Sequence, residues 1–359
     1  MKRIILSTLL VCVIIGMSSG QEVQLSKKHG WDEDYPLYGE IRTLTVLNYN
    51  VSDKFGELVK KLKSKTVTTF NELEYEKESI SYDSQGQVNW RHIEKYDSDW
   101  RLVETINYDK SGTLYGKRFF KYDLNGYMIE QSRYNGDGSL HWKSFFKYDQ
   151  NGNEIEDIRY QHDGTLDWKF IKKYDSNGNV IENARYNGDG TLDWKFVDKY
   201  DDKGNVIEHT RYKVEDVLEW KEQYKYNLNG KIIEKVKYDS SGSLCWRYEY
   251  KYDNKGNMIE QTSEAINNTR EIKELYKYDS NGNIIEAEEH IGGLLSEKLI
   301  CQYDLNGRGI EMAFYDDKGS LLGKKQYKYD SQGNRVEYIK YKSEIMIPVE
   351  MTEWKIVYK

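Results

Sequence analysis

The chain has 359 residues, with 53 Lys and Arg against 60 Asp and Glu for a net charge of -7, and it holds 28 glycines but only 2 prolines. An acidic surface excludes nucleic acid as a partner, because phosphate recognition needs a basic track; lysines and glutamates are also mixed along the chain, as on alternating strand faces. Prolines kept out and glycines spaced through the chain fit a long sheet in which every backbone N–H is needed.

Lys2 and Arg3 precede an apolar run from Ile4 to Met17 and then the small residues Ser18, Ser19 and Gly20. The run is too short for a stable span, so residues 1–20 read as a secretory signal. Cys12 sits inside the run behind Val11, which argues against a lipid-anchor site. No other apolar segment could span a bilayer, so the mature chain is expected to be secreted, periplasmic or cell-surface associated. Without Cys12 there remain Cys245 and Cys301, in different phases of the repeat, and stability is expected from packing and not from a disulfide.

Residues 21–65 read as an N-terminal capping segment. Ile41 to Tyr49 has the pattern of a strand, while Phe55, Leu58, Val59 and Leu62 have helical spacing broken by Gly56. A short helix and a distorted hairpin are equally open there, either one covering the first sheet edge.

Residues 66–345 repeat a 26-residue unit: Tyr148-Asp149-Gln150-Asn151-Gly152, then Tyr174-Asp175-Ser176-Asn177-Gly178, then Tyr200-Asp201-Asp202-Lys203-Gly204. Each unit carries two turn signals, such as Asp175 to Gly178 and Asn187 to Gly190, with Asp or Asn at the start and glycine for the left-handed position. Between them, Trp168, Phe170 and Tyr174 alternate with Lys169, Ile171 and Lys173. The fold class is all-β: tandem antiparallel hairpins forming a long twisted or coiled sheet, a β-solenoid. Even spacing of the turn glycines keeps the aromatics on one face, and placing Tyr174 beside Val180 puts Trp168 beside Tyr186.

A second column of Ile129, Ile155, Ile181, Ile207, Ile233, Ile259, Ile285 and Ile310 gives the other face something to bury, so a spiral or a sheet folded back in two layers is expected. Residues 346–359 end in one last strand with Trp354, Ile356 and Tyr358 alternating.

Three columns bear on function. Trp142, Trp168, Trp194, Trp220 and Trp246 lie in register, with Trp90 before them and Gly116 in the missing place; Ile272, Glu297 and Gly323 replace them later and make residues 270 to 330 chemically distinct. These indoles are candidate ligand-binding residues, since sugars stack on such rings, and equally a core between layers. The glutamates, among them Glu156, Glu182 and Glu208, fall on the aromatic parity, with Lys172 opposite Glu182 and an aromatic such as Phe146 or Tyr224 in that place in most units. Many near-equivalent carboxylates read as architecture, as do Tyr148, Tyr174, Tyr200 and Gly152, Gly178, Gly204; catalysis would need one pair set apart. The histidines share no metal-ligand spacing, the turns lack the oxygen set of a calcium loop, and no nucleotide loop is present. No metal, cofactor or enzyme activity is expected.

The pattern from Tyr174 through Glu182, followed by Tyr186-Asn187-Gly188-Asp189-Gly190-Thr191-Leu192, resembles the YD repeats of bacterial RHS and teneurin-like proteins, and is similar to the hairpin repeats of YwqK-type antitoxins. The resemblance covers about residues 66 to 345. It implies coiled β shells or adhesive surfaces, and sugar binding. The first expectation is a secreted or surface scaffold whose partner is a protein or a cell-surface glycan. The alternatives are a carbohydrate-binding protein using the Trp and Tyr face, an immunity-type protein masking an effector, and a glutamate-based hydrolase.

Overall fold

The computed structural model describes residues 37–55, 57–265, 268–342 and 346–359; the signal reading of residues 1–20 and the first part of the 21–65 segment lie outside them. Among these residues there are twenty-four strands, from β1 (Ile41–Lys54) to β24 (Ile347–Tyr358), and one short 3-10 turn at Val214–Asp216. Every strand is antiparallel to its neighbour in sequence.

One unit explains the rest. It consists of β10 (Leu166–Tyr174), β11 (Val180–Asn187) and the start of β12 (Leu192–Tyr200). In the first turn the Gly178 N–H donates to the Asp175 carbonyl at 3.2 Å and the Asp175 N–H to the Asn179 carbonyl at 2.9 Å. The Asp175 carboxylate accepts the N–H groups of Asn177 and Asn179, both at 2.9 Å. Gly178 has φ 85 and Gly190, in the second turn, φ 84, a conformation that costs glycine nothing. Both turns are therefore type I turns closed by a glycine bulge, as the spacing predicts.

The register differs from the expected one. Tyr174 does lie opposite Val180, but the next pair is Lys173 with Glu182, which leaves Ile181 as an extra, unpaired residue. Trp168 consequently faces Asn187 and not Tyr186, while Tyr186 lies opposite Lys169 on the other face. Beside the second turn another bulge leaves Asp193 unpaired, and Arg185 then lies opposite Trp194. Each bulge slips the strand by one residue and reverses the faces; two per unit restore them. The indoles so remain on one face, and mostly polar residues lie across from them, such as Arg185 and Lys213 on either side of Trp194.

The same slip moves the isoleucine and glutamate columns. Ile181 and its equivalents occupy the bulge, and Ile129, Ile207, Ile233, Ile259 and Ile285 are exposed and form no second core. Glu182 pairs with Lys173, not Lys172, on the face opposite the indoles.

The repeat tyrosine ties the bulge down. Its hydroxyl donates to a backbone carbonyl on the preceding strand: Tyr148 to Met128 at 2.9 Å, Tyr174 to Glu154 at 2.7 Å, Tyr200 to Val180 at 2.8 Å and Tyr226 to Val206 at 2.6 Å. Tyr96, Tyr122, Tyr252, Tyr278, Tyr303 and Tyr329 make the same bond. Burial raises the pKa of Tyr174 and Tyr200, which keeps the phenols protonated and able to donate.

The sheet is neither an open spiral nor two layers. Strand β1 pairs on one side with β2 (Glu57–Phe70) and on the other with β24, from Leu44 opposite Ile356 to Asn50 opposite Glu350. The ends expected to cap free edges pair with each other, and the chain forms a closed barrel. Of the two readings of the Phe55 to Leu62 stretch, the distorted hairpin holds and the helix does not: Phe55, at φ 57, follows the end of β1, β2 starts at Glu57, and the two strands pair with a register shift at Asn48 and Tyr49. Ile41 and Leu44, both at 0% exposure, pack with Leu37, Phe70 and the flanking Trp354 and Ile356 at the seam. Asn334, 1% exposed, accepts the Tyr38 N–H at 2.6 Å and donates to the Tyr38 carbonyl at 2.8 Å. Lys60 reaches over β1 to Glu353 at 2.7 Å.

Twenty-four strands at about 4.8 Å give roughly 115 Å of circumference and roughly 37 Å across if circular and untilted. Among the described residues, hydrogen bonds, ion pairs and ring contacts reach no further than the second strand along. The described residues thus form a single-layer wall.

Replacing Tyr200 with Phe removes one such bond, and the urea unfolding midpoint should fall by an amount worth about 1 kcal/mol; an unchanged midpoint would show the bulge to be held by the ladder alone. Asn334→Ala strands the Tyr38 backbone groups at the seam and should cost about 1–3 kcal/mol, read in the same assay, whereas Asn179→Ala, in the same turn position away from the seam, should cost less.

Candidate ligand-binding face

The two bulges make one face of the barrel aromatic and cationic. Trp168, Phe170, Trp194, Phe196 and Trp220 form a chain of touching rings across alternate strands, with centroids 4.8, 5.6, 4.9 and 6.0 Å apart in that order. The intervening strand contributes His209, stacked on Phe196 at 4.8 Å. Cations fill the remaining gaps: the Arg159 guanidinium lies 4.0 Å from the Trp142 ring and 4.6 Å from Trp168, Lys237 lies 4.1 Å over Trp220, and Lys235 lies 5.0 Å over Trp246. Such contacts are worth about 0.5–2 kcal/mol each.

Of the five candidate tryptophans, Trp142 is buried at 9% exposure, and Trp168, Trp194, Trp220 and Trp246 are half-buried. They are not a core between layers. Nor are they bare platforms, since their own cations cover part of several rings. Simple alternation does not reveal these cations; the bulges bring Arg159 opposite Trp168 and Lys237 opposite Trp246.

The opposite face carries the glutamate column. Glu156 is held between Lys147 at 2.6 Å and Lys169 at 2.5 Å, Glu182 by Lys173 at 2.9 Å, and Glu208 by Lys199 at 2.8 Å with Lys221 at 3.8 Å. Hydrogen bonds from Lys251 and Lys273 lower the pKa of Glu260, and those from Lys277 and Lys298 lower that of Glu286. These carboxylates brace neighbouring strands through their lysines. Tyr148, Tyr174 and Tyr200 hold the bulges as described, and Gly152, Gly178 and Gly204 hold the turns at φ 82–85.

A different set of acids stands apart. On β18 (Asn268–Tyr278), β19 (Ile284–Ile291) and β20 (Leu294–Tyr303), Glu274 lies opposite Glu289, and Glu289 opposite Glu297. Glu274 and Glu289 are 2% and 3% exposed, beside the buried cluster of Tyr276, Ala287, Leu299, Cys301 and Phe314. The Tyr276 hydroxyl donates to Glu274 Oε2 at 2.6 Å. Burial, then the neighbouring Glu297 and Glu274, raises the pKa of Glu289, and burial raises that of Glu297. Burial also pushes the Cys301 thiol up to about 11, so it is a weak nucleophile. The sequence signal was the loss of the tryptophan column here, with Glu297 in its place. Elsewhere, burial and the nearby Glu154 push Asp157 up to about 6. Among the described residues no three His, Cys, Asp or Glu side chains converge as metal ligands, and no helix is long and apolar enough to cross a membrane.

A family model described as "Uncharacterised protein" matches residues 191–264. None of the curated proteins matches the chain. Among solved structures, the crystal structure of TcdB2-TccC3 is similar at 10% identity and a TM-score of 0.47, covering 88% of this chain and 20% of that one; the chain thus spans about a fifth of its length. A porin-like protein from Bacteroides uniformis is similar at 9% identity and a TM-score of 0.28, covering 89% of this chain and 98% of that one. A putative outer membrane lipoprotein-sorting protein domain from Vibrio parahaemolyticus has 9% identity, a TM-score of 0.17, and coverage of 88% and 83%.

The two acid sets should respond to pH in opposite directions. Stability from a carboxyl with a lowered folded pKa is present at neutral pH and lost as pH falls through that pKa; for a raised one it is present at low pH and lost as pH rises through it. Glu260→Gln should therefore lower the thermal midpoint more at pH 7.5 than near pH 3, while Glu289→Gln should raise it more at pH 7.5 than near pH 3. Thermal unfolding at the two pH values checks both, and a fall at pH 7.5 for Glu289→Gln would contradict the assignment.

Proposed function

We propose that this chain is an exported, non-catalytic binding scaffold of the YD-repeat kind, a hollow barrel that takes up a partner on its aromatic and cationic face. The observation that carries the reading is the chain of half-buried rings from Trp168 to Trp220. Partly open aromatic surface beside fixed cations is the composition of a recognition surface. The glutamate column offers no poised acid and base, since its members are neutralised by lysines on one or both flanking strands. Charges also stand on both faces of neighbouring strands, Lys169 and Lys173 on one and Lys172 and Arg185 on the other, where a lipid-facing barrel needs an apolar band. Water on both sides of the wall suits that distribution, and the leader at residues 1–20 directs such a barrel to the periplasm, the cell surface or the medium.

A glycan is the second reading. It is supported by Trp194, which touches Phe170 and Phe196, and weakened at Trp142, Trp168 and Trp220, where an own cation already lies on the ring.

Labelled full-length chain applied to a glycan array and to whole cells tests both readings. Trp168→Ala, Trp194→Ala and Trp220→Ala together should weaken binding at least about tenfold, each ring contact being worth about 1 kcal/mol, with the barrel still folded by circular dichroism. Undiminished binding would remove the aromatic face from the account, and a hydrolytic activity abolished by one Glu→Gln change in the column would overturn the non-catalytic reading.

A further inference from the structure

The repeat departs from itself most sharply at one place. Gly116 stands where Trp90, Trp142 and Trp168 stand in other units; Arg118, two residues on, stands where Ser144, Phe170 and Phe196 do; and His141 stands where Asp167, Asp193 and Glu219 do. The register brings all three departures together. Arg118 lies directly opposite Arg133, and Arg133 opposite Trp142, the residue after His141.

The third departure removes a counter-charge. In two later units the arginine in the place of Arg133 is paired by the acid of the following bulge, Arg185 by Asp193 and Arg211 by Glu219 at 3.2 Å, and in the unit between, Arg159 is held on the Trp142 and Trp168 rings. At Arg133 that acid is His141. Among the described residues no carboxylate pairs with Arg118 or Arg133, whereas most other cations of this wall are held by an acid or a ring. Two like charges directly across a strand pair repel.

The first departure makes room. The absent indole leaves a cavity of about 400 Å³ lined by Trp90, Asn107, Tyr115, Gly116, Arg118 and Arg133. Gly116 cannot simply regain a side chain, since a Cβ there would lie 2.7 Å from the Tyr134 carbonyl oxygen. Trp90, 42% exposed, and Tyr115, 63% exposed, offer ring surface at the mouth. Asp109 also lines the cavity, with its Oδ1 taken up by the N–H groups of Ser111 and Thr113 and by the Ser111 hydroxyl.

We infer that this cavity is a binding site for a ring-bearing oxyanion, a carboxylate, sulfate or phosphate group held between the Arg118 and Arg133 guanidinium groups while its ring lies against Trp90 and Tyr115. Paired guanidinium groups match the geometry of such anions, and the ligand relieves the repulsion between them. The inference does not rest on the aromatic row from Trp168 to Trp220.

Equilibrium dialysis of the full chain against 4-nitrophenyl sulfate, inorganic sulfate and neutral 4-nitrophenol at low salt tests it. Saturable binding of the aryl sulfate at one site is expected, tighter than either half alone. Arg118→Gln and Arg133→Gln should each weaken it at least about tenfold, while Arg185→Gln and Trp168→Ala leave it unchanged. Arg118→Gln should unfold no earlier than the parent chain when no anion is present, because it removes a like-charge pair, so lost binding cannot be ascribed to misfolding. Absence of saturable binding, equal affinity for 4-nitrophenol, or full binding by Arg118→Gln would overturn the inference.

Discussion

The paired bulges govern everything else in this molecule. A strand pair that slips by one residue exchanges its faces, and a repeat with one slip per unit would show its tryptophans alternately on either side of the wall. Here a slip beside each turn comes with a second beside the next, so the faces are restored after each unit. The glycine of each turn fixes where the slip falls, and the tyrosine hydroxyl bonded to a carbonyl of the preceding strand holds the strand end beside it. The Tyr-Asp pair is thus a single device: the phenol secures the strand end while the carboxylate folds the turn. The bulges also twist the strands locally, which helps a long ribbon curve toward closure.

Closure removes the liability of such a ribbon. Any sheet of tandem hairpins ends in two unpaired edges that invite a further strand. The protein joins its edges, and the residues doing so are repeat residues put to new use. Asn334 occupies the turn position of Asn179, whose amide donates to its own Asp175 at 2.9 Å. At the last turn the amide turns outward to the Tyr38 backbone and the Tyr358 hydroxyl, while Tyr358 donates to Asp330. The seam keeps the turn and redirects one side chain.

The all-β class, the two turns per unit and the strand boundaries were legible in the sequence because they depend on local chemistry: Asp or Asn to accept backbone N–H groups, glycine for positive φ. Register was not, because Ile181 and Asp193 look like ordinary members of an alternating strand and nothing local marks them as unpaired. That error carried through to the neighbours of Trp168, the face of Glu182 and the supposed second core of isoleucines. Closure was hidden for another reason. The pairing of β1 with β24 joins residues some 300 positions apart, such as Asn48 and Thr352, and the irregular end segments resemble edge caps as well as partners. Of the candidate site, the indole row was legible, but its cations were not.

A repeat of this kind changes where function is to be sought. Columns that recur in every unit are consumed by recurring demands: tyrosine by the bulge, aspartate and glycine by the turn, glutamate and lysine by the bracing of adjacent strands. A residue so committed cannot easily be released for a ligand, since its loss is felt at the same contact that every other unit keeps. Specific chemistry is better placed where the pattern lapses and the architectural demand is met by something else. The wall lapses in two ways. At Gly116, Arg118 and His141 it exchanges bulk and negative charge for space and positive charge. At Glu274 and Glu297 acids stand where other units have aromatic rings, and at Glu289 an acid stands where they have arginine, with Glu274 and Glu289 buried. These lapses have opposite sign and lie on the same face, so the barrel has one uniform framework and two electrostatically distinct regions, an asymmetry that the repeat alone could not generate.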